Sequence, residues 1–170
     1  FLSGEDIHAS TASAVFGVPL SEVTPELRKR AKAVNFGIVY GIGDYSLSVD
    51  LGITKKQAGE YIANYLARFH AIDSYLKDTV RMAYDHGFVE TIFGRRRYIP
   101  ELKASNKMMR SFGERVAMNS PIQGSAADII KIAMVNTRNA LAAANIDARL
   151  ILQVHDELVV EAARSCADEA

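Results

Sequence analysis

No sign of charge dominates this sequence: 20 Lys and Arg residues face 20 Asp and Glu. Whole-chain charge therefore gives no support for a polyanionic partner. Cysteine is almost missing. Cys166 stands alone, which excludes an internal disulfide and a thiolate metal cage and fits a reducing, cytoplasmic setting. There is no amino-terminal signal pattern and no apolar run near the 18 residues of a membrane span, so no membrane partner is expected. A Walker-type Gly-Lys-Ser/Thr loop, a nucleophile elbow, internal repeats and low-complexity tracts are all lacking. His8, His70 and His86 have no acid or cysteine at metal-binding spacing and read as surface or helix-end residues. The chain opens on Phe1 without an initiator methionine and stops at Ala170 in a charged, Ala-rich run. It reads as a piece of a longer protein, and nothing in it suggests more than a monomer.

What is present is an ordinary globular composition, 49% hydrophobic and 24% charged, with its basic charge in patches. Residues 25–32 carry Arg28, Lys29, Arg30 and Lys32 against Glu26 alone, and residues 81–115 are also rich in Arg and Lys. The most informative segment lies in the first patch. Arg28, Lys32, Phe36 and Tyr40 follow one another at intervals of four, which makes them neighbours on a helix. The stripe drifts about 40° per step and spans about 18 Å. Cations suit phosphates and aromatic rings suit bases or sugars, so such a helix could hold a nucleoside triphosphate lengthwise. A solvated basic face with Phe36 in the core is the plain alternative.

Local signals predict a mostly helical block followed by an α+β block. A first helix over 6–16 has Asp6 as its cap and breaks at Gly17-Val18-Pro19. Thr24-Pro25-Glu26 is a strong start for the helix carrying the stripe, which Gly41 and Gly43 end, the glycines at 37 and 41 baring its backbone. Short helical stretches follow near 44–51, from a Thr54 cap to about Phe69, and over 71–86. Residues 88–93 alternate like a strand and turn at Gly94 into a basic return arm over 95–100. Residues 106–119 are helical, Pro121 and Gly124 bend or interrupt, and 125–144 form a long helix. Residues 148–161 read as a buried hairpin with His155, Asp156 and Glu157 at its tip.

Three further groups carry chemistry. The hairpin tip offers two adjacent carboxylates, and Mg²⁺ binds through one or two carboxylates plus water and substrate phosphates. A polar turn is the alternative. Arg115, Asn119 and Gln123 form a second ladder of step four, whose donors could meet base edges or sugar oxygens or simply face solvent. Arg95, Arg96 and Arg97 with Tyr98 suit a phosphate backbone or a solvated hairpin arm.

Taken in order, these residues are similar to family A DNA polymerases of the bacterial DNA polymerase I type. Arg28-xxx-Lys32-xxx-Phe36-Gly37-xx-Tyr40-Gly41 resembles the family's fingers helix, and Val154-His155-Asp156-Glu157 its palm hairpin. Asp6-Ile7-His8, Phe93-Gly94-Arg95-Arg96-Arg97-Tyr98 and the run from Asn119 to Asp128 match in order and spacing. The resemblance implies an α+β fold: a fingers subdomain over 1–112, then part of a palm over 113–170 with an antiparallel β-hairpin. It also implies template-directed addition of deoxynucleotides to a primer 3′-end.

The roles it implies are specific. Arg28 and Lys32 would hold the incoming triphosphate, Lys32 also protonating the leaving pyrophosphate. Phe36 would pack on sugar and base, and Tyr40 and Gly41 would lie near the template base and nascent pair. Arg97 would contact DNA. Arg115, Asn119 and Gln123 would follow the primer–template minor groove, and His155 the primer end. Asp156 would bind catalytic Mg²⁺, with Glu157 a weaker contributor. Two-metal phosphoryl transfer needs a second aspartate. In the family it lies on a strand just before the point where this chain begins, and no other aspartate here stands in a matching context. The isolated segment is therefore expected to bind weakly and not to polymerise. A single-subunit RNA polymerase and a non-catalytic nucleic-acid-binding module remain as alternatives. Phe36 and Glu157 favour the DNA enzyme over the first, and the presence of Asp156 speaks against the second.

Overall fold

A computed structural model describes residues 4–170. Phe1, Leu2 and Ser3, on which the reading of the chain's opening rests, lie outside the described residues. Among those described, six helices and two antiparallel strand pairs make an α+β fold. They group into two compact units. One runs up to Glu90 and resumes over Arg96–Pro121; the other joins Thr91–Arg95 to Ile122–Ala170.

In the first unit, Asp6 caps α1 (Ile7–Phe16) as expected, its Oδ1 accepting from the N–H groups of His8 and Ala9 at 2.9 and 3.0 Å. The helix α2 (Pro25–Val39) starts where Thr24-Pro25-Glu26 predicts, with Thr24 Oγ1 accepting from Leu27 N–H. It stops one residue short of the whole stripe, because Tyr40 is already its cap. The stop is a Schellman turn. Ile42 N–H bonds back to the Gly37 carbonyl at 2.8 Å and Gly41 N–H to that of Ile38 at 2.9 Å, while Gly41 takes the left-handed φ of 68° that the motif requires. Gly37 is bare for a local reason: a Cβ there would sit 2.8 Å from Ile42 Cγ2.

The helices α3 (Asp44–Leu51), α4 (Lys55–Arg68) and α5 (His70–His86) follow, α4 opening on a full Thr54–Gln57 capping box. Their apolar faces close on α1 and α2 around Val15, Val34, Ile38, Leu47, Ala58, Tyr65 and Leu76. A second small core gathers Ala83, Val89, Ile99, Leu102 and Ala117. It anchors strands β1 (Phe88–Glu90) and β2 (Arg96–Tyr98), paired antiparallel with Phe88 opposite Tyr98. These strands are shorter than the alternation suggests. Thr91 ends the ladder by turning its own hydroxyl onto the loop, where Oγ1 accepts from Phe93 and Arg95 N–H at 3.3 and 3.2 Å.

Of the bend or interruption expected at Pro121 and Gly124, the interruption does not occur. One helix, α6 (Lys107–Ala143), runs unbroken for 37 residues, about 55 Å at the usual rise. Pro121 deprives the Ala117 carbonyl of its intrahelical donor, a cost of about 3 kcal/mol in a free helix. Here both residues are buried, and packing outweighs the local rule. After this proline the chain passes into the second unit for the last time.

The second unit carries β3 (Ala148–Val154) and β4 (Glu157–Ala162), a hairpin with a bulge at Ile151. Its register ends on Val154 opposite Glu157, so the turn proper is His155-Asp156. The hairpin is not buried as expected. Ile151 and Leu152 are each 54% exposed. Their apolarity is real, but among the described residues no layer covers them.

Candidate active site

Candidate residues occur in both units. In the first, α2 keeps Arg28, Lys32 and Phe36 on an exposed face, and Tyr40 continues it from the cap position. Phe36 and Tyr40 are both 47% exposed, so the alternative of Phe36 as core fails. Their rings lie nearly parallel, 18° between planes and 6.4 Å between centroids. Lys32 Nζ stands 5.8 Å from the Phe36 centroid. Two large aromatic faces left in water beside cations form a surface ready for a flat, phosphorylated ligand.

Helix α1 adds groups that local patterns did not assign. Arg28 Nε donates to Asp6 Oδ2 at 2.8 Å. His8 lies with its ring centroid 6.1 Å from that of Phe36, and its Nδ1 is 2.9 Å from Asn35 Nδ2. Thr11 Oγ1 donates to the Ile7 carbonyl at 2.7 Å and lies 3.2 Å from the Asn35 amide. Asp6 and His8 fall 22 and 28 residues before Arg28 and Phe36, so no local spacing could have joined them. The Asp6-Ile7-His8 match was the only signal.

At the far end of the stripe, Gly41 approaches α6 closely. A Cβ on Gly41 would lie 2.9 Å from Arg115 Cγ and 2.6 Å from Met118 Cε. Arg115 itself is exposed, with its guanidinium carbon 5.9 Å from the Phe112 ring centre. Gly41→Ala is accordingly expected to destabilise the protein by at least about 1–2 kcal/mol from the left-handed φ alone. Met118 and Arg115 must shift besides. Chemical denaturation of the two proteins checks it, and an unchanged midpoint refutes the close approach. The next rung, Asn119, has a buried Nδ2 without a hydrogen-bond partner. Gln123, the third rung, is exposed and belongs to the second unit.

Two arginines of the triplet face carboxylates. Arg95 Nε donates to Asp128 Oδ1 at 2.6 Å, and Arg96 Nε to Glu90 Oε1 at 2.8 Å. Arg97 is exposed on β2 opposite Val89. Asp128 is only 4% exposed and also accepts from Thr91 Oγ1 at 2.8 Å, while Ser125 Oγ accepts from Ile92 N–H at 3.0 Å. Gly124 leaves room for this arrangement, since a Cβ there would meet Thr91 Cγ2 at 2.7 Å. Thus α6 holds the 91–95 turn by its side chains. The Thr91 hydroxyl first, then Arg95, keep the Asp128 carboxyl below its ordinary 3.8. A depressed carboxyl pKa stabilises the fold above the ordinary value and loses that contribution as pH falls through the native one. Asp128→Asn should therefore flatten the acid limb of the stability–pH curve below about pH 4. Thermal melts from pH 3 to 7 check it, and parallel curves for the two proteins exclude this role.

In the second unit the hairpin turn presents His155 and Asp156, with Glu157 opening β4, all three exposed. His155 adopts φ 53°, unusual for a residue with a side chain, and its carbonyl accepts from Gln153 Nε2. Among the described residues no group of three or more His, Cys, Asp or Glu could hold a metal ion. Asp156 and Glu157 are therefore a pair of hard oxygen donors, the donor type that Mg²⁺ uses when water and phosphates complete its shell.

All 170 residues match one sequence family, DNA polymerase family A. The chain belongs to that family. It is 53% identical over 162 residues to DNA polymerase I of Caldicellulosiruptor bescii and 56% identical over 162 residues to that of Bacillus subtilis. Each match covers 95% of this chain. It spans 19% and 18% of those two family A proteins, about a fifth of their length. The structure superimposes on the POL domain of Pol1 from M. smegmatis, solved in complex with DNA primer-template and dNTP. That match has a TM-score of 0.92 and 47% identity, over 98% of this chain and 30% of that one. Among the described residues no helix is long and apolar enough to cross a membrane.

Proposed function

We propose that this chain forms the nucleotide-binding and duplex-contacting part of a DNA-directed DNA polymerase. Residues 1–112 make up its fingers and 113–170 part of its palm. The observation that carries this reading is the exposed stripe of α2: two cations, then two parallel aromatic rings, ending against Arg115. That order matches a deoxynucleoside triphosphate laid along the helix, phosphates toward Arg28 and Lys32, sugar and base toward Phe36 and Tyr40. The M. smegmatis relative was solved with such a ligand and with primer-template DNA, which supports the same substrates here.

In this reading Arg28 and Lys32 bind and neutralise the triphosphate, and Lys32 gives a proton to the departing pyrophosphate. Arg115, Asn119 and Gln123 offer donors to the minor groove, where acceptors are similar for every base pair. They check pair geometry without reading sequence. Arg97 contacts the phosphate backbone and His155 the primer end. Asp156, with Glu157 beside it, would hold Mg²⁺, which when bound activates the attacking hydroxyl and offsets phosphate charge. The protein acts as a cytoplasmic monomer.

Primer extension by the polymerase carrying this chain tests the proposal. Template-directed incorporation of deoxynucleotides is the expected result. Incorporation of ribonucleotides in preference, or none at all, overturns it.

A further inference from the structure

We propose that Asp6 is a positioning residue for Arg28, holding its guanidinium so that the remaining donors face the triphosphate. This rests on the reading of Arg28 as a triphosphate ligand and adds a residue from another helix to it.

The geometry separates two jobs on one carboxylate. Oδ1 serves as the cap of α1, accepting from His8 and Ala9 N–H at 2.9 and 3.0 Å. A cap needs no more than one oxygen. Oδ2 is given to a residue 22 positions away, accepting from Arg28 Nε at 2.8 Å. The two cap bonds fix the carboxylate on a rigid helix end, so Arg28 meets an immobile partner. The N–H of Ala9, then Arg28, hold the carboxyl below its usual range, and it is anionic at neutral pH. Guanidinium has five N–H donors. A bond at Nε leaves the Nη groups for phosphate oxygens.

An arginine free in water has wide rotamer freedom, and an arginine already oriented loses less of it on binding. Against this, an anion beside a phosphate site repels the ligand. The pair is 48% and 43% exposed, so water and salt screen that repulsion, and the gain from orientation is itself modest. The net effect belongs on substrate binding, since Asp6 reaches the substrate only through Arg28.

Single-nucleotide incorporation by the polymerase carrying this chain, with Asp6→Asn, Arg28→Ala and the double variant, decides the matter. Asn keeps a cap oxygen and removes the charge. The expected result is a rise of about three- to fivefold in KM for the nucleotide, the range of an exposed ion pair, with kcat within about twofold. In the Arg28→Ala background Asp6→Asn should add nothing. A KM that falls on Asp6→Asn would show that Asp6 competes with phosphate and would overturn the proposal. So would an unchanged KM, or the same rise with and without Arg28, which marks a loss of helix capping instead. If Arg28→Ala by itself leaves KM unchanged, the triphosphate reading of Arg28 fails and the role of Asp6 with it. If Arg28→Ala raises KM and Asp6→Asn does not, only the role of Asp6 fails.

Discussion

An Asp156→Asn polymerase is expected to lose nearly all Mg²⁺-dependent turnover while binding primer–template DNA as before. The substitution is nearly isosteric, and Asn suits a turn as well as Asp does, so the two-residue turn joining β3 to β4 should survive. What disappears is a full negative charge and one hard oxygen ligand. A catalytic metal contributes several kcal/mol of transition-state stabilisation, and each 1.36 kcal/mol is tenfold in rate. A drop of more than about a thousandfold follows. Only Glu157 stands beside Asp156 as a further donor, and among the described residues no third acid, histidine or cysteine joins them. Among the described residues there is therefore no local substitute. Rapid-quench kinetics gives the rate and fluorescence anisotropy the DNA affinity. A variant with normal turnover would take Asp156 out of the site, and one that no longer binds DNA would point to a misfolded hairpin.

The second large effect should come from Lys32→Ala. Lys32 is exposed on the outer face of α2, where its ammonium bears no packing load, and alanine is the better helix former. Stability should hold or rise slightly. A hydrogen bond to a charged group contributes about 1.5–3 kcal/mol, which corresponds to a loss of roughly ten- to 150-fold in kcat/KM. If the lysine also protonates pyrophosphate, the loss falls mainly on kcat. A pure rise in KM would leave Lys32 as a binding group only. An unchanged kcat/KM would exclude it from the phosphate end of the stripe.

The helices of this chain were legible because their ends are marked by residues that act locally. Thr24-Pro25-Glu26 and the Thr54–Gln57 pair satisfy orphan N–H groups within a turn of themselves, and Gly41 supplies a backbone angle at its own position. Such signals need no tertiary context. The misses have the opposite character. Pro121 obeys a rule of isolated helices that burial overrides. The apolar run of β3 states a preference for burial, and only the fold decides whether a layer is there to satisfy it. The pairs Asp6–Arg28 and Arg95–Asp128 join residues 22 and 33 apart. Either arginine, read alone, is one more cation in a basic patch. For Arg95 and Arg96 the patch reading overstated the free positive charge, because each faces a carboxylate.

His155 turns the hairpin at a backbone angle that a side chain resists, at a cost of about 1–2 kcal/mol relative to glycine. The turn would form more readily without an imidazole. A library of this segment sorted for thermal tolerance would enrich His155→Gly, and one sorted for turnover would hold histidine beside Asp156. With His155 at the primer end, as proposed, position 155 would be a place where folding and chemistry pull apart, and the strain in an otherwise ordinary two-residue turn is where that conflict would show.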